Sequence, residues 1–306
     1  LGMMGSLRLI RKNKLSAKMA LIGEPSNLQL ITAGKGMAAV EIRIPYSEDE
    51  KKYRIEHNLS ESTSSQSRIF HGKAAHSSTP HLGDSAIKKM FEHLLQLPSG
   101  IVIMEIEGGV NFNTVSANAF LDVDPISRFT DPMAKKLTTI YQAILQLEKK
   151  FLDYTDNDFT PPNPTLNIGR IETFEDYIFI GGNCRIGPSV SNEVYEQWMR
   201  DLTEVCQQVG ADFKVADYKR PYRTNENSML VRGCLAEMEN LGLSTSLTTQ
   251  SSSNEASLWS RIGVECVSFG PGLREGNIHT PNENVATEDL KKAILFYRSI
   301  IERFCL

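Results

Sequence analysis

The sequence predicts an α/β fold in two parts: a domain formed by the two ends of the chain, and an α+β insert between them built on an antiparallel sheet. Three observations carry this. Residues 18–23 (Lys-Met-Ala-Leu-Ile-Gly) and 264–269 (Val-Glu-Cys-Val-Ser-Phe) are short, largely apolar runs, bounded by Pro25 and by Gly270-Pro271-Gly272, as strands buried on both faces would be. Behind the second run, Leu290, Ala293, Ile294, Tyr297, Ile300, Ile301 and Phe304 recur at helical spacing. Between the ends the candidate strands are shorter and alternating, and amphipathic helices separate them.

Taken in order, a short basic helix precedes the first run, and residues 39–44 open the insert as its first strand. Residues 46–67 are charged and Ser-rich and read as a hairpin tip or loop. A helix starts near Asp84, places Ile87, Met90, Phe91, Leu94 and Leu95 on one face, and stops at Pro98. Strands follow over residues 101–107 and 119–123, then an additional amphipathic helix over 133–152 and an acidic, Pro-rich linker over 153–164. Residues 165–171 and 178–184 are the next strands. Ser191 caps a helix carrying Val194, Trp198, Leu202, Val205 and Val209, closed by Gly210, and residues 213–217 form the last strand of the insert. Glu288 and Asp289 open the final helix, where the dipole favours negative charge. The sequence shows no internal repeat.

With 306 residues, 41% hydrophobic and 23% charged, the chain has the composition of an ordinary globular protein of about two domains. Lys and Arg number 33 against 37 Asp and Glu, a net charge of -4, which argues against a nucleic-acid partner. Apolar runs such as residues 101–104 fall far short of the ~20 residues of a membrane span. Five cysteines, odd in number and without a C-x-x-C pair, indicate neither a zinc ribbon nor a disulfide framework but reduced, mostly buried thiols. The opening Leu1-Gly-Met-Met-Gly-Ser6 lacks a secretory signal and reads like the interior of a domain. The expectation is a cytoplasmic protein whose chain begins in mid-sequence.

Three segments hold candidate chemistry. Glu24, in Gly23-Glu-Pro-Ser26, directly follows a buried strand, where ligands gather in open α/β sheets; the tetrapeptide alone favours a solvated loop residue. His279, in Gly276-Asn-Ile-His-Thr-Pro-Asn-Glu283, is placed to ligate zinc or to be a surface loop histidine. His76, in Gly72-Lys-Ala-Ala-His-Ser-Ser-Thr-Pro80, stands at a strand end beside small hydroxyl residues and suits an oxyanion donor, or a turn on the surface. His57, His71, His81 and His93 have no comparable setting.

These segments in this order, with Lys35-Gly36, Gly108-Gly-Val-Asn-Phe-Asn-Thr-Val115 and Phe269-Gly-Pro-Gly272, resemble the zinc-dependent aminoacylase and carboxypeptidase family that includes acetylornithine deacetylase, succinyl-diaminopimelate desuccinylase and glutamate carboxypeptidase. The resemblance implies a catalytic α/β domain over residues 1–31 and 220–306, with an inserted lid over 32–219 built on a four-stranded antiparallel sheet and mediating a homodimer. It implies two zinc ions, or cobalt or manganese in their place, with Glu24 and His279 as ligands. His76 would be the lid histidine that stabilises the oxyanion in the neighbouring subunit. Asn113, Arg185 and the backbone of Gly270 and Gly272 would bind a peptide or N-acyl amino acid. Gly2-Met-Met-Gly5 resembles a segment that follows the family's catalytic glutamates, so the general base and further ligands are expected upstream and the polypeptide as written is expected to be inactive alone. Asn183 stands where the family carries an aspartate, and Asn254-Glu255-Ala-Ser257 replaces its T-D-A-S segment. The rival expectation is a non-catalytic relative that keeps the lid for dimerisation or ligand binding.

Overall fold

The chain opens with helix α1 (Met4–Arg11) and strands β1 (Met19–Gly23) and β2 (Leu30–Gly34). The computed structural model describes residues 2–14, 16–56, 65–98, 100–125, 132–274, 276–278 and 280–306. Two compact units divide it: Leu1–Gly36 with Lys219–Leu306, and Met37–Tyr218.

The second unit runs β3 (Gly36–Pro45), α2 (Glu48–Glu56), β4 (Gln66–His71), α3 (Ala86–Leu94), β5 (Val102–Gly108), β6 (Asn118–Asp124), α4 (Met133–Phe151), β7 (Thr165–Thr173), β8 (Tyr177–Ile186), α5 (Asn192–Gln208) and β9 (Asp212–Lys219). Its sheet has seven strands in the order β4-β6-β5-β7-β8-β3-β9, and the pairs from β4 to β8 are antiparallel. The four-stranded sheet expected for the lid is therefore a wider one. One reason is β4: nearly every residue of this edge strand is exposed, so it carries no hydrophobic alternation and falls partly within the stretch read as a loop.

That stretch is also more regular than expected, since α2 occupies its first half; residues 57–64 lie outside those described. The Glu50 carboxylate anchors the helix. Although buried, it accepts a hydrogen bond from the backbone N–H of Met133 at 2.8 Å and so satisfies an orphan donor at the start of α4. Ser85 and Ser191 cap α3 and α5, each accepting from the backbone N–H three residues on.

The apolar face read for α3 is the one the fold uses. Ile87, Met90, Phe91 and Leu94 are buried against Leu137, Ile140, Tyr141 and Ile144 of α4, and Phe91 stacks on Tyr141 with ring centroids 4.6 Å apart. Truncating Phe91 to Ala should cost about 3–5 kcal/mol, read as a lower denaturant midpoint at unchanged slope.

In the first unit the chain continues through β10 (Tyr222–Arg223), α6 (Met229–Asn240), β11 (Leu247–Gln250), α7 (Ala256–Trp259), β12 (Glu265–Phe269) and α8 (Thr287–Cys305). Its sheet is mixed: β1 runs parallel to β12, β12 and β10 are antiparallel to β2, and β11 is parallel to β2. β1 differs from the expected doubly buried strand. It pairs with β12 alone among the described strands, and its residues are half-buried from Met19 to Ile22 and exposed at Gly23.

α8 also turns differently from its predicted face. Ala293, Phe296 and Ile300 are buried against Phe269 and the α6 residues Leu230, Val231, Cys234 and Met238, while Leu290, Ile294 and Ile301 stand 42%, 66% and 53% exposed. Apolar residues on two sides of one helix leave the buried stripe undecided in sequence. Cys184, Cys206, Cys234 and Cys266 are buried free thiols, as expected, and Cys305 is exposed. No helix among the described residues is long and apolar enough to cross a membrane.

Candidate functional site

In the first unit, parallel pairing of Gly23 with Phe269 brings two strand ends together, so the loops leaving β1 and β12 lie against each other. Glu24 starts one loop and Gly270 the other. The Ser26 hydroxyl accepts from the Gly270 N–H at 3.0 Å and donates to the Gln29 carbonyl at 2.7 Å, while Asn27 N–H donates to the Gly272 carbonyl at 2.8 Å. A Cβ on Gly270 would lie 2.5 Å from the Glu24 carbonyl oxygen, so only glycine permits this approach. Asn27 and Leu28 both have left-handed backbones, φ 54° and 57°, a strain uncommon in non-glycine residues that marks this loop.

The charge of Glu24 is felt nearby. Burial pushes the Tyr222 hydroxyl up to about 12 and raises that of Tyr297, and the carboxylate adds to both. Glu24, Gly270 and Gly272 thus share one locale. His279 lies outside the described residues. Among the described residues no three His, Cys, Asp or Glu side chains are grouped to hold a metal ion. One carboxylate falls short of the three protein ligands that catalytic zinc takes, so the described residues do not by themselves fit a zinc ion.

In the second unit, His76, Asn113 and Arg185 come together. Residues 75–77 pair with 113–115: Val115 N–H donates to the Ala75 carbonyl at 2.8 Å, Ser77 N–H to the Asn113 carbonyl at 2.9 Å, and His76 bridges to Thr114. The segment carrying Asn113 lies over the faces of β7 and β8, where Gly169 and Gly181 leave the space; a Cβ on Gly181 would run into the Phe112 ring. Asn167 and Asn183 are cross-strand partners beneath it. Asn167 Nδ2 donates to the carbonyls of Phe112 and Thr114, each at 3.0 Å, and Asn183 Nδ2 donates to the Phe112 carbonyl and to Asn113 Oδ1.

His76 is held by its own turn. The backbone N–H of Ser78 donates to Nδ1 at 3.1 Å, and the Ser78 hydroxyl lies 2.7 Å from the same atom. A backbone N–H can only donate, so Nδ1 is an acceptor and the proton of the neutral ring sits on Nε2. The side chain is partly exposed, as a donor to a ligand must be.

Arg185 is the opposite case, 4% exposed. Its Nη2 donates to the Ser77 hydroxyl at 3.3 Å, its Nε has no hydrogen-bond partner, and no carboxylate pairs with it among the described residues. Burial alone pushes its pKa down to about 10, which leaves it charged at neutral pH. A buried guanidinium without a counter-ion is costly unless an anion arrives to pair with it.

Ser77 and Asn167 also belong to the site, since both are buried and hold this cluster. Their signal is faint: Asn167, between Leu166 and Ile168, looks like part of a solvated strand face, and Ser77 looks like one of several small hydroxyl residues in a turn.

One unit is a mixed sheet with helices and the other a wide sheet with a bound loop, so the fold is of the mixed α/β class. Residues 61–136 match the peptidase dimerisation domain of the M20 peptidases. The chain is 22% identical to acetylornithine deacetylase of Myxococcus xanthus over 99% of its own length and 62% of that protein. It is 25% identical over 92 residues to succinyl-diaminopimelate desuccinylase of a Nitratiruptor species, which is 30% of this chain and 25% of that one. Its fold is similar to that of aminoacylhistidine dipeptidase from Vibrio alginolyticus, with a TM-score of 0.62 at 14% identity over 94% of this chain and 66% of the dipeptidase. The chain therefore spans less than two thirds of the length of these relatives.

Proposed function

We propose that the chain is the larger part of a metal-dependent hydrolase of amide bonds, acting on a peptide or an N-acyl amino acid. The observation that carries this reading is the second-unit cluster: a histidine with its Nε2 proton directed away from its own turn, next to an asparagine and a buried guanidinium that pairs with no carboxylate among the described residues. Arg185 and Asn113 would hold the substrate carboxylate, and the His76 Nε2–H would donate to the carbonyl oxygen as it gains charge. The backbone of Gly270 and Gly272 would line the substrate pocket.

Glu24 and His279 would serve as metal ligands, the others coming from the part of the relatives' length that this chain does not span. When bound, the metal pair supplies an acidified water and a Lewis acid. A homodimer would form through the lid, in keeping with the dimerisation domain matched at residues 61–136.

A second reading, a non-catalytic relative that dimerises or binds a ligand, draws on one fact: the described residues group no metal ligands. Metal content and hydrolysis of the intact gene product separate the two. The expected result is about two zinc ions per chain and release of amine from N-acetyl amino acids or dipeptides that stops on chelation. A metal-free protein without hydrolysis would establish the second reading.

A further inference from the structure

Three hydroxyl residues follow His76, and each has a different partner. The Ser77 hydroxyl accepts from Arg185, the Thr79 hydroxyl lies 3.5 Å from the His76 carbonyl, and the Ser78 hydroxyl lies 2.7 Å from His76 Nδ1. His76 is exposed, whereas Ser78 is only 8% exposed, and among the described residues its hydroxyl makes no second hydrogen bond.

The direction of that bond follows from its neighbour. The Ser78 backbone N–H already points at Nδ1 from 3.1 Å, so a proton on Nδ1 would meet it donor to donor. The hydroxyl must then donate as well. Turned round to accept from a protonated Nδ1, it would leave its own buried proton without an acceptor, which is unfavourable. One residue thus fills Nδ1 twice, through its main chain and its side chain, and both contacts favour the ring form that carries its proton on Nε2.

We propose that Ser78 is the positioning residue of His76: its hydroxyl and backbone N–H together hold Nδ1 as an acceptor, which fixes the plane of the ring and keeps the Nε2 proton ready for a carbonyl oxygen. The catalytic use of that proton rests on the hydrolase reading, whereas the tautomer is a property of the turn alone. In this role Ser78 acts only through the imidazole.

The test is nitrogen NMR of the imidazole on the whole 306-residue chain beside Ser78→Ala, with the His76 signals identified by their loss in His76→Ala. At about two units above the ordinary histidine value of about 6.5 the ring is neutral, and its two nitrogens report which of them carries the proton. In the unaltered chain His76 should be protonated mainly on Nε2 and pyridine-like at Nδ1. Ser78→Ala deletes the hydroxyl and keeps the N–H, so the share of rings protonated on Nδ1 should rise about fivefold, as loss of one hydrogen bond predicts. In the intact active enzyme the same substitution should lower kcat about fivefold with KM and bound metal unchanged. A merely structural role for the hydroxyl would change stability and leave the tautomer ratio in place.

Protonation of Nδ1 in the unaltered chain, or an unchanged ratio in Ser78→Ala, overturns the proposal. If the ratio shifts and turnover does not, Ser78 positions the ring as proposed and the assignment of His76 to the carbonyl oxygen is what fails. Should Ser78→Ala not fold, the tautomer of the unaltered chain decides.

Discussion

Replacing His76 by Ala in the active enzyme lowers turnover by about 10²-fold or more, with bound metal unchanged. The expectation comes from the ring's hydrogen bonds. Ser78 N–H occupies Nδ1, so Nε2 keeps its proton and stays a donor without any change of tautomer during reaction. A preset donor is worth most where charge develops, on the carbonyl oxygen in the transition state, and least in the ground state. The loss should therefore appear in kcat, with KM little altered. Turnover that survives the substitution would reduce His76 to a surface residue held by its turn. A fall in metal content would make it a ligand, contrary to the role argued for it.

Replacing Arg185 by Met separates function from stability. Removing one partner of a buried charge pair costs about 2–5 kcal/mol in binding, so KM for a carboxylate-ended substrate should rise about 10²-fold. Folding should respond in the other direction or not at all. The guanidinium has no carboxylate partner among the described residues, its Nε is unsatisfied, and burial already lowers its pKa. Apolar replacement of such a group is often neutral or stabilising by about 1–4 kcal/mol. Kinetics and chemical denaturation on the same preparation check both halves. A destabilised variant with normal KM would show that Arg185 supports the sheet and binds no substrate.

Much of the fold is legible in the sequence where burial is one-sided. The α3 face at Ile87, Met90, Phe91 and Leu94 and the Ser191 cap can be read because period and capping chemistry are local there, whereas the Ser85 cap comes only with the structure. β4 escapes because an exposed edge strand carries little hydrophobic signal. α8 is placed correctly but its buried stripe is not, since Ile294 and Phe296 compete for the interior and tertiary contacts choose.

At the site, His76, Asn113 and Arg185 stand out through their motifs, yet sequence could not say that a loop covers the polar face of β7 and β8. For that reason Asn167 looks solvated in sequence although it is buried and bonded to two carbonyls. His279 lies outside the described residues, so its role rests on the motif around it.

The open side of β1 bears on how the polypeptide behaves in the test tube. A short apolar ribbon with one row of backbone N–H and C=O groups unclaimed by the described strands is a template for adventitious pairing between molecules. Sedimentation that reports association will therefore have two sources to separate. Pairing of that kind has its own place in the chain, apart from any assembly made through the matched residues 61–136.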